Sequence, residues 1–422
     1  MDRMLIRHSE PLRGEVTISG AKNSALPILA ATLLGTEDII LSDVPRLEDV
    51  RVMIEVLEHL GAEVEHLDET TLRVNSKNLD NYNTPGELMG KMRASFLVMG
   101  PLLARLGKSL TKLPGGCTIG ARPVDLHLKG FRSLGCSISE DANVVGASVG
   151  EGTLTGGTVY LDFPSVGATQ NIMMAATMAK GDTLIENAAR EPEIVDLANF
   201  INKLGGDVRG AGTSNIRVRG VKKLGGTTHS IIPDRIEAAT FMIGAAMTRG
   251  KVRVNNLIPS HLVPITAKLR EAGAVVVEDG DAMIVSATQR PVATNIKTMP
   301  YPGFPTDAQS QFMAMMAISE GNSRLVETVF ENRFMHVAEL VRMGANIETY
   351  GKEAVVRGVP LLFGAEVRAT DLRAGAALVL SGLIAEGMTT LTEISHLDRG
   401  YDRIEEKIAA LGGDIRRVRD PR

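Results

Sequence analysis

A chain of 422 residues with a net charge of −4, only 4% aromatic residues and no tryptophan has neither the cationic field nor the stacking surface of a nucleic-acid binder. Two cysteines without a CxxC spacing argue against a disulfide framework or a thiolate metal site and suit a reducing cytoplasm. MDRMLIRHSE lacks the apolar core of a signal peptide, and stretches such as 25–35 are too short to span a bilayer, so a soluble, cytoplasmic protein of two or three domains with no membrane partner is expected.

In chain order, the first element is an N-terminal strand within MLIRHSEPLRGEVTISGAKNSAL (4–26). An apolar helix follows, ALPILAATLLG, and five similar helices recur: FLVMGPLLARLG, NIMMAATMAKG, FMIGAAMTRG, FMAMMAISEG and LVLSGLIAEG. They end at Gly35, Gly107, Gly181, Gly250, Gly321 and Gly387. Being apolar nearly all round, they predict buried rather than surface helices. After each comes a phrase that ends an amphipathic helix and opens a strand, as in LGAEVEHL or LGGDVRGA. Its glycines, Gly61, Gly135, Gly205, Gly273, Gly344 and Gly412, lie 68 to 74 residues apart and fit helix C-caps with φ > 0.

Each unit of about 70 residues therefore reads strand, buried helix, strand, amphipathic helix, strand, strand, six times over. The sixth unit runs out of chain soon after Gly412. Because 4–26 aligns with 216–238, the N-terminal strand is expected to complete that last unit. Three units per domain follow, with one domain over 22–229 and the second made of 1–21 plus 230–422.

Departures from the repeat mark the candidate site. The span from the buried helix to the LG glycine is longest, 28 residues, in the second unit, and the extra length falls in LPGGCTIGARPVDLH (113–127). There Cys117 sits in a glycine-flanked loop beside Arg122, ahead of Asp125 and His127. A tolerated surface insertion is the bland explanation, and a reactive thiol on glycine hinges the functional one. Cys136, at the position where its siblings carry Ala, Gly or Asn, reads as a small core filler.

The starts of the buried helices also differ. They carry Lys22 and Asn23, Arg93, Ser165 with Gly167, Asp234, Asp307, and Asp371 with Arg373. Ser and Asp there serve as N-caps. A Lys or Arg opposes the helix dipole, so Lys22, Arg93 and Arg373 face either an anionic ligand or a structural ion pair. With Arg122, Arg333 and Arg399 (the last taken to start the surface helix of the final unit), they are expected to line a cleft suited to phosphate and carboxylate. No Walker A, GxGxxG or HExxH sequence is present, and the histidines form no ligand-spaced cluster, so no metal or cofactor is implied.

SGAKNSALP (19–27), MRAS (92–95), the Cys117 loop, SVGAT (165–169), ENAAREPEIVDLANF (186–200), FPTDAQ (304–309), ENRFMHVAEL (331–340), TDLRA (370–374) and HLDRGYDRIEEKI (396–408) together resemble the enolpyruvyl transferase family, in the branch that acts on UDP-N-acetylglucosamine. The resemblance implies two inside-out α/β barrel (α/β prism) domains of three pseudo-repeats each. It also implies transfer of the enolpyruvyl group of phosphoenolpyruvate to the 3′-hydroxyl of that sugar nucleotide, by addition and elimination, in a monomer without cofactor.

By the same resemblance Cys117 is the general acid, in a lid loop open to fosfomycin, and Asp307 accepts the hydroxyl proton. Lys22 and Arg399 join them as catalytic residues. Phosphoenolpyruvate falls to Lys22, Asn23, Arg93, Arg122, Arg373 and Arg399. The sugar nucleotide falls to Asn23, Arg93, Arg122, Pro123, Val124, Asp125, Leu126, Ser165, Val166, Gly167, Asp307 and Val329, with Arg333 and Asp371 in support. The sister enzyme of the shikimate pathway and a sugar-nucleotide-binding paralogue without turnover are the rival readings. An RNA-phosphate cyclase is disfavoured by the acidic pI and the missing aromatic platforms.

Overall fold

The computed structural model describes residues 2–113, 124–141, 143–150 and 152–419, and of Met89, Gly90, Lys91 and Arg93 the backbone only; Cys117, Arg122 and Pro123 lie outside the described residues. The described chain divides into two compact units, one from Gly20 to Ile232 and one combining 2–19 with the chain from Pro233 onward. Each has a hydrophobic core of its own.

The apolar helices sit at the centre of each unit. Arg235–Met247 and Leu372–Ile384 bury nearly every residue, as do Lys22–Ala31 and Val166–Ala176. A helix with no polar face has to be enclosed on all sides. The strands instead alternate buried and exposed residues, as in Arg3–Arg7 and Lys251–Asn255, so their sheets can cover the helices and still meet water. This is the inside-out arrangement, with helices within and sheets outside. Amphipathic helices such as Glu48–His59 and Pro192–Lys203 fill the remaining sides.

Each unit carries three sheets, which follow the six-fold repeat. Arg3–Arg7 lies between Met388–Thr392 and Ile415–Val418, antiparallel to both, with Met4 opposite Leu391 and Arg417. It thus fills the place that the sixth repeat leaves open. The next strand, Arg13–Thr17, runs parallel to Lys251–Asn255, just as Thr227–Ser230 runs parallel to Ile39–Ser42 in the other unit. The six LG glycines all have φ between 89° and 102°, a conformation that a Cβ would strain.

The second repeat is the irregular one. Its sheet has three strands, the leading strand being reduced to a single bridge between Asn83 and Leu110. Its buried helix begins as a 3₁₀ turn, Arg93–Val98, before becoming the α-helix Met99–Leu106. This is also the repeat that carries the Cys117 insertion.

Candidate functional site

In the first unit, helix Lys22–Ala31 starts at Ala21, which supplies no side-chain cap. Lys22 is buried, and its Nζ lies 2.7 Å from Asp49 Oδ2 in the first turn of Glu48–His59. The cation that opposes the helix dipole is thus held by an ion pair. Two residues on, the Ser24 hydroxyl donates to Asp196, which also accepts from His229 Nε2 at 2.9 Å and from the Ile232 N–H at 3.3 Å. Asp196 therefore ties the segment bearing Lys22 and Asn23 to the last residues of the unit.

The stretches 124–126 and 165–167 meet in the same unit. Val124 is the N-cap residue of Asp125–Ser133, and the Ser165 hydroxyl caps Val166–Ala176 by accepting from Ala168 N–H. A Cβ on Gly167 would come within 3.2 Å of the His127 ring, so glycine permits the approach. His127 is pinned in turn: Nδ1 accepts from the Asn171 amide at 3.1 Å, and its ring stands edge-on to Phe96. Asn171 also donates to the Phe96 carbonyl and accepts from Gly100 N–H, so it locks the 3₁₀ turn that begins at Arg93. Cys136 is buried in the core, and that burial pushes its thiol up to about 11, which leaves it unreactive.

In the second unit the relation between helix start and countercharge is reversed. Asp307 lies in the turn Thr306–Ala308 that leads into Gln309–Ala317. Its Oδ1 accepts from Arg333 Nη2 at 3.1 Å and its Oδ2 from Arg373 Nη2 at 3.2 Å. Both arginine side chains are at most 3% exposed, against 26% for the carboxylate between them, so the acid presents the open side of the cluster. Burial is the largest influence on Arg373 and works against its charge, but Asp307, Tyr401 and Asp234 together outweigh it and hold the guanidinium firmly protonated. Arg333 Nε and Arg373 Nε and Nη1 are buried donors without a hydrogen-bond partner among the described residues. Buried charged donors in that condition are costly, and an incoming anion would satisfy them.

The other candidates surround this cluster. Asp371 caps Leu372–Ile384, accepting from the N–H groups of Arg373 and Ala374, and Asp234 caps Arg235–Met247 likewise. Val329 gives its N–H to Glu327. Arg399 corrects an expectation. It does not start the surface helix but is the C-cap of the short Ser395–Asp398. The surface helix begins at Ile404, because Arg403 takes a left-handed φ of 50° and turns the chain first. The Arg399 segment packs on the start of the Arg373 helix, where a Cβ on Gly400 would collide with Leu372.

Sequence reasoning missed four buried polar residues here. Tyr401 shares a hydrogen bond with Thr240, accepts from Gln311, and lies under the Arg373 guanidinium. Gln311 also donates to the Asp307 carbonyl. His336 is fully buried and pushed down to about 4, first by burial, with Arg333 adding and Asp371 opposing. Glu327 is the fourth. A surface cavity of about 500 Å³ beside Lys268, Lys297 and Arg324 contains none of the candidate residues.

Residues 6–408 match the model of the EPSP synthase (3-phosphoshikimate 1-carboxyvinyltransferase) family. The UDP-N-acetylglucosamine 1-carboxyvinyltransferase of Finegoldia magna is 62% identical over 420 residues, covering 99% of both chains. UDP-N-acetylglucosamine 1-carboxyvinyltransferase 1 of Caldanaerobacter subterraneus subsp. tengcongensis is 57% identical, covering 98% of this chain and 99% of its own. Among solved structures, the enolpyruvyl transferase NikO from Streptomyces tendae superposes with a TM-score of 0.89 at 24% identity, over 100% of this chain and 99% of its own. EPSP synthase from Acinetobacter baumannii does so with a TM-score of 0.77 at 18% identity, over 99% and 100%. At those identities the two structures speak for the fold alone.

Proposed function

The chain belongs to the EPSP synthase family, and from that premise we propose that it transfers the enolpyruvyl group of phosphoenolpyruvate to the 3′-hydroxyl of UDP-N-acetylglucosamine, releasing phosphate, as the first committed step of peptidoglycan synthesis. The observation that carries the choice of acceptor is full-length identity of 62% and 57% to relatives named for that sugar nucleotide, against 18% to an EPSP synthase. Among the described residues no helix is long and apolar enough to cross a membrane, and we assign the reaction to the cytoplasm.

The chemistry needs a proton for the methylene carbon of phosphoenolpyruvate, a base for the sugar hydroxyl, and cations for phosphate and carboxylate. In the addition step the sugar oxygen bonds to C2 while its proton passes to Asp307, and C3 takes a proton from Cys117. The product is a tetrahedral phospholactoyl ketal. In the elimination C3 returns a proton to the Cys117 thiolate left by the addition, the double bond re-forms, and the bond from C2 to the phosphate oxygen breaks, with phosphate leaving on its electron pair. Arg333 and Arg373 hold the Asp307 carboxylate from both sides, which fixes the direction from which it can accept a proton.

Lys22, Arg93, Arg122, Arg373 and Arg399 take the anionic groups of the substrates. Unspent guanidinium donors at Arg373 and Arg333 support that role. Asn23, the stretches 122–126 and 165–167, Asp307 and Val329 take the sugar nucleotide. The contact between His127 and Gly167 supports treating the two stretches as one surface.

Phosphate release from phosphoenolpyruvate, with UDP-N-acetylglucosamine or shikimate 3-phosphate as sole acceptor, tests the reading. Release with the sugar nucleotide alone is expected. Release with shikimate 3-phosphate alone would overturn the acceptor while leaving the family intact.

A further inference from the structure

Glu327 follows strand Asn322–Val326 and is 1% exposed. A carboxylate buried that deeply is expensive unless hydrogen bonds replace its water. Four do so: Oε1 accepts from the Thr298 hydroxyl at 2.8 Å, the Val329 N–H at 2.7 Å and the Phe330 N–H at 3.1 Å, and Oε2 accepts from the Thr306 hydroxyl at 2.9 Å. None of these donors is a cation. The charge strengthens bonds to two loops instead of closing an ion pair. Thr298 extends the hold, since its hydroxyl accepts from Thr328 N–H and its carbonyl from the Thr328 hydroxyl.

The two oxygens divide the work. Oε1 grips the loop whose backbone includes Val329, a sugar-nucleotide contact in the functional reading above. Oε2 grips Thr306, the residue before Asp307. Asp307 is then fixed from two directions, by arginines at its carboxylate and by Glu327 through the preceding residue. We propose that Glu327 is a positioning residue that sets the acceptor contact at Val329 and the base at Asp307 in register with each other, on the premise of that functional reading. An apolar residue of similar size would fill the space and leave both loops without a common anchor.

The arms can be cut separately. Thr306→Val is nearly isosteric and removes only the Oε2 donor, whereas Thr306→Ser keeps it. Thr306→Val is expected to lower kcat for phosphate release by about tenfold or more, with KM for UDP-N-acetylglucosamine within about twofold of wild type, because a misplaced base costs rate rather than binding. Thr306→Ser should restore kcat. Glu327→Gln, which weakens both arms, should lower kcat similarly and also raise KM for UDP-N-acetylglucosamine by about tenfold, leaving KM for phosphoenolpyruvate within about threefold.

Wild-type values for both substrates from Glu327→Gln, equal rises in both KM values, or a Thr306→Ser as slow as Thr306→Val would overturn the positioning role. Should Glu327→Gln not fold, the Thr306 pair decides. Turnover of the wild type with shikimate 3-phosphate alone would defeat the functional reading instead, and the same variants compared on that acceptor would still test Glu327. Without turnover on either acceptor, calorimetric affinity for UDP-N-acetylglucosamine decides, with a tenfold loss expected in Glu327→Gln and unchanged affinity overturning the role.

Discussion

The two units are built from the same repeat but put their helix starts to opposite uses. In the first, a lysine stands at a helix start and an aspartate from the neighbouring helix neutralises it. In the second, an aspartate stands there and two arginines close on it. Within the six buried helices, the starts at Ser165, Asp234 and Asp371 have side-chain caps, and those at Lys22, Arg93 and Thr306 have none. A capped start has spent its charged or hydroxyl group on its own backbone. Of the uncapped starts, Lys22 pairs with Asp49 and Asp307 with Arg333 and Arg373, and both are residues to which the proposed reaction gives a catalytic role.

The sharpest way to break this comparison is at Asp307. Asp307→Asn keeps the shape and removes the base, so kcat for phosphate release should fall roughly 1,000-fold. A loss of less than about tenfold would mean that the carboxylate is there to neutralise Arg333 and Arg373 and is as structural as the caps. At the corresponding place in the first unit the effect should fall on stability. Asp49→Ala removes the carboxylate that lies 2.7 Å from the buried Lys22, at a cost of about 3 kcal/mol in denaturant unfolding. Near-wild-type stability would show that Lys22 is held by something other than this pair.

A third test separates the units by pH. His336 is buried with a pKa pushed down to about 4, below its ordinary value near 6.5. Between those values the unfolded chain binds the extra proton and the folded one does not, so stability rises with pH across that window and is lost as pH falls through it. The full amplitude is about 3 kcal/mol by the depth of the shift. His336→Leu should flatten the unfolding profile of the protein between pH 6.5 and 4. An unaltered profile would locate the acid sensitivity elsewhere.

Much of the scaffold could be read from the sequence because its signals are local. A helix apolar on every side and a glycine that must take positive φ are properties of a few adjacent residues, and both repeat six times. Lys22, Ser165, Asp307 and Arg373 could be named for the same reason, since each sits at the start of a repeated buried helix, whereas Cys117 stands out by its insertion and Val329 only by resemblance to the family. Their partners could not. Arg333 and Arg373 lie 26 and 66 residues from the aspartate they share, and Asp49 and Asp196 come from other helices. Glu327, Asn171, His336 and Tyr401 carry no periodic signature, because a buried polar residue is defined by what surrounds it. The place of Arg399 before the surface helix is hidden in the same way, because the left-handed turn at Arg403 leaves no mark in HLDRGYDR. The weakness of the second repeat, a leading strand cut to one bridge, was equally invisible, although its insertion was plain.

The smallest effect tests whether a capped start is only a cap. Asp234 accepts from the N–H groups of Ile236 and Glu237, and its charge also bears on Arg373 and Tyr401. Asparagine can cap as well as aspartate but carries no charge, and alanine does neither. If the residue serves its own helix alone, Asp234→Ala should cost about 1 kcal/mol and Asp234→Asn only a few tenths. Calorimetric or denaturant unfolding of the two variants would measure the difference. Equal losses would mean that the carboxylate also balances the buried arginine, and the division between structural caps and working residues would then be one of degree.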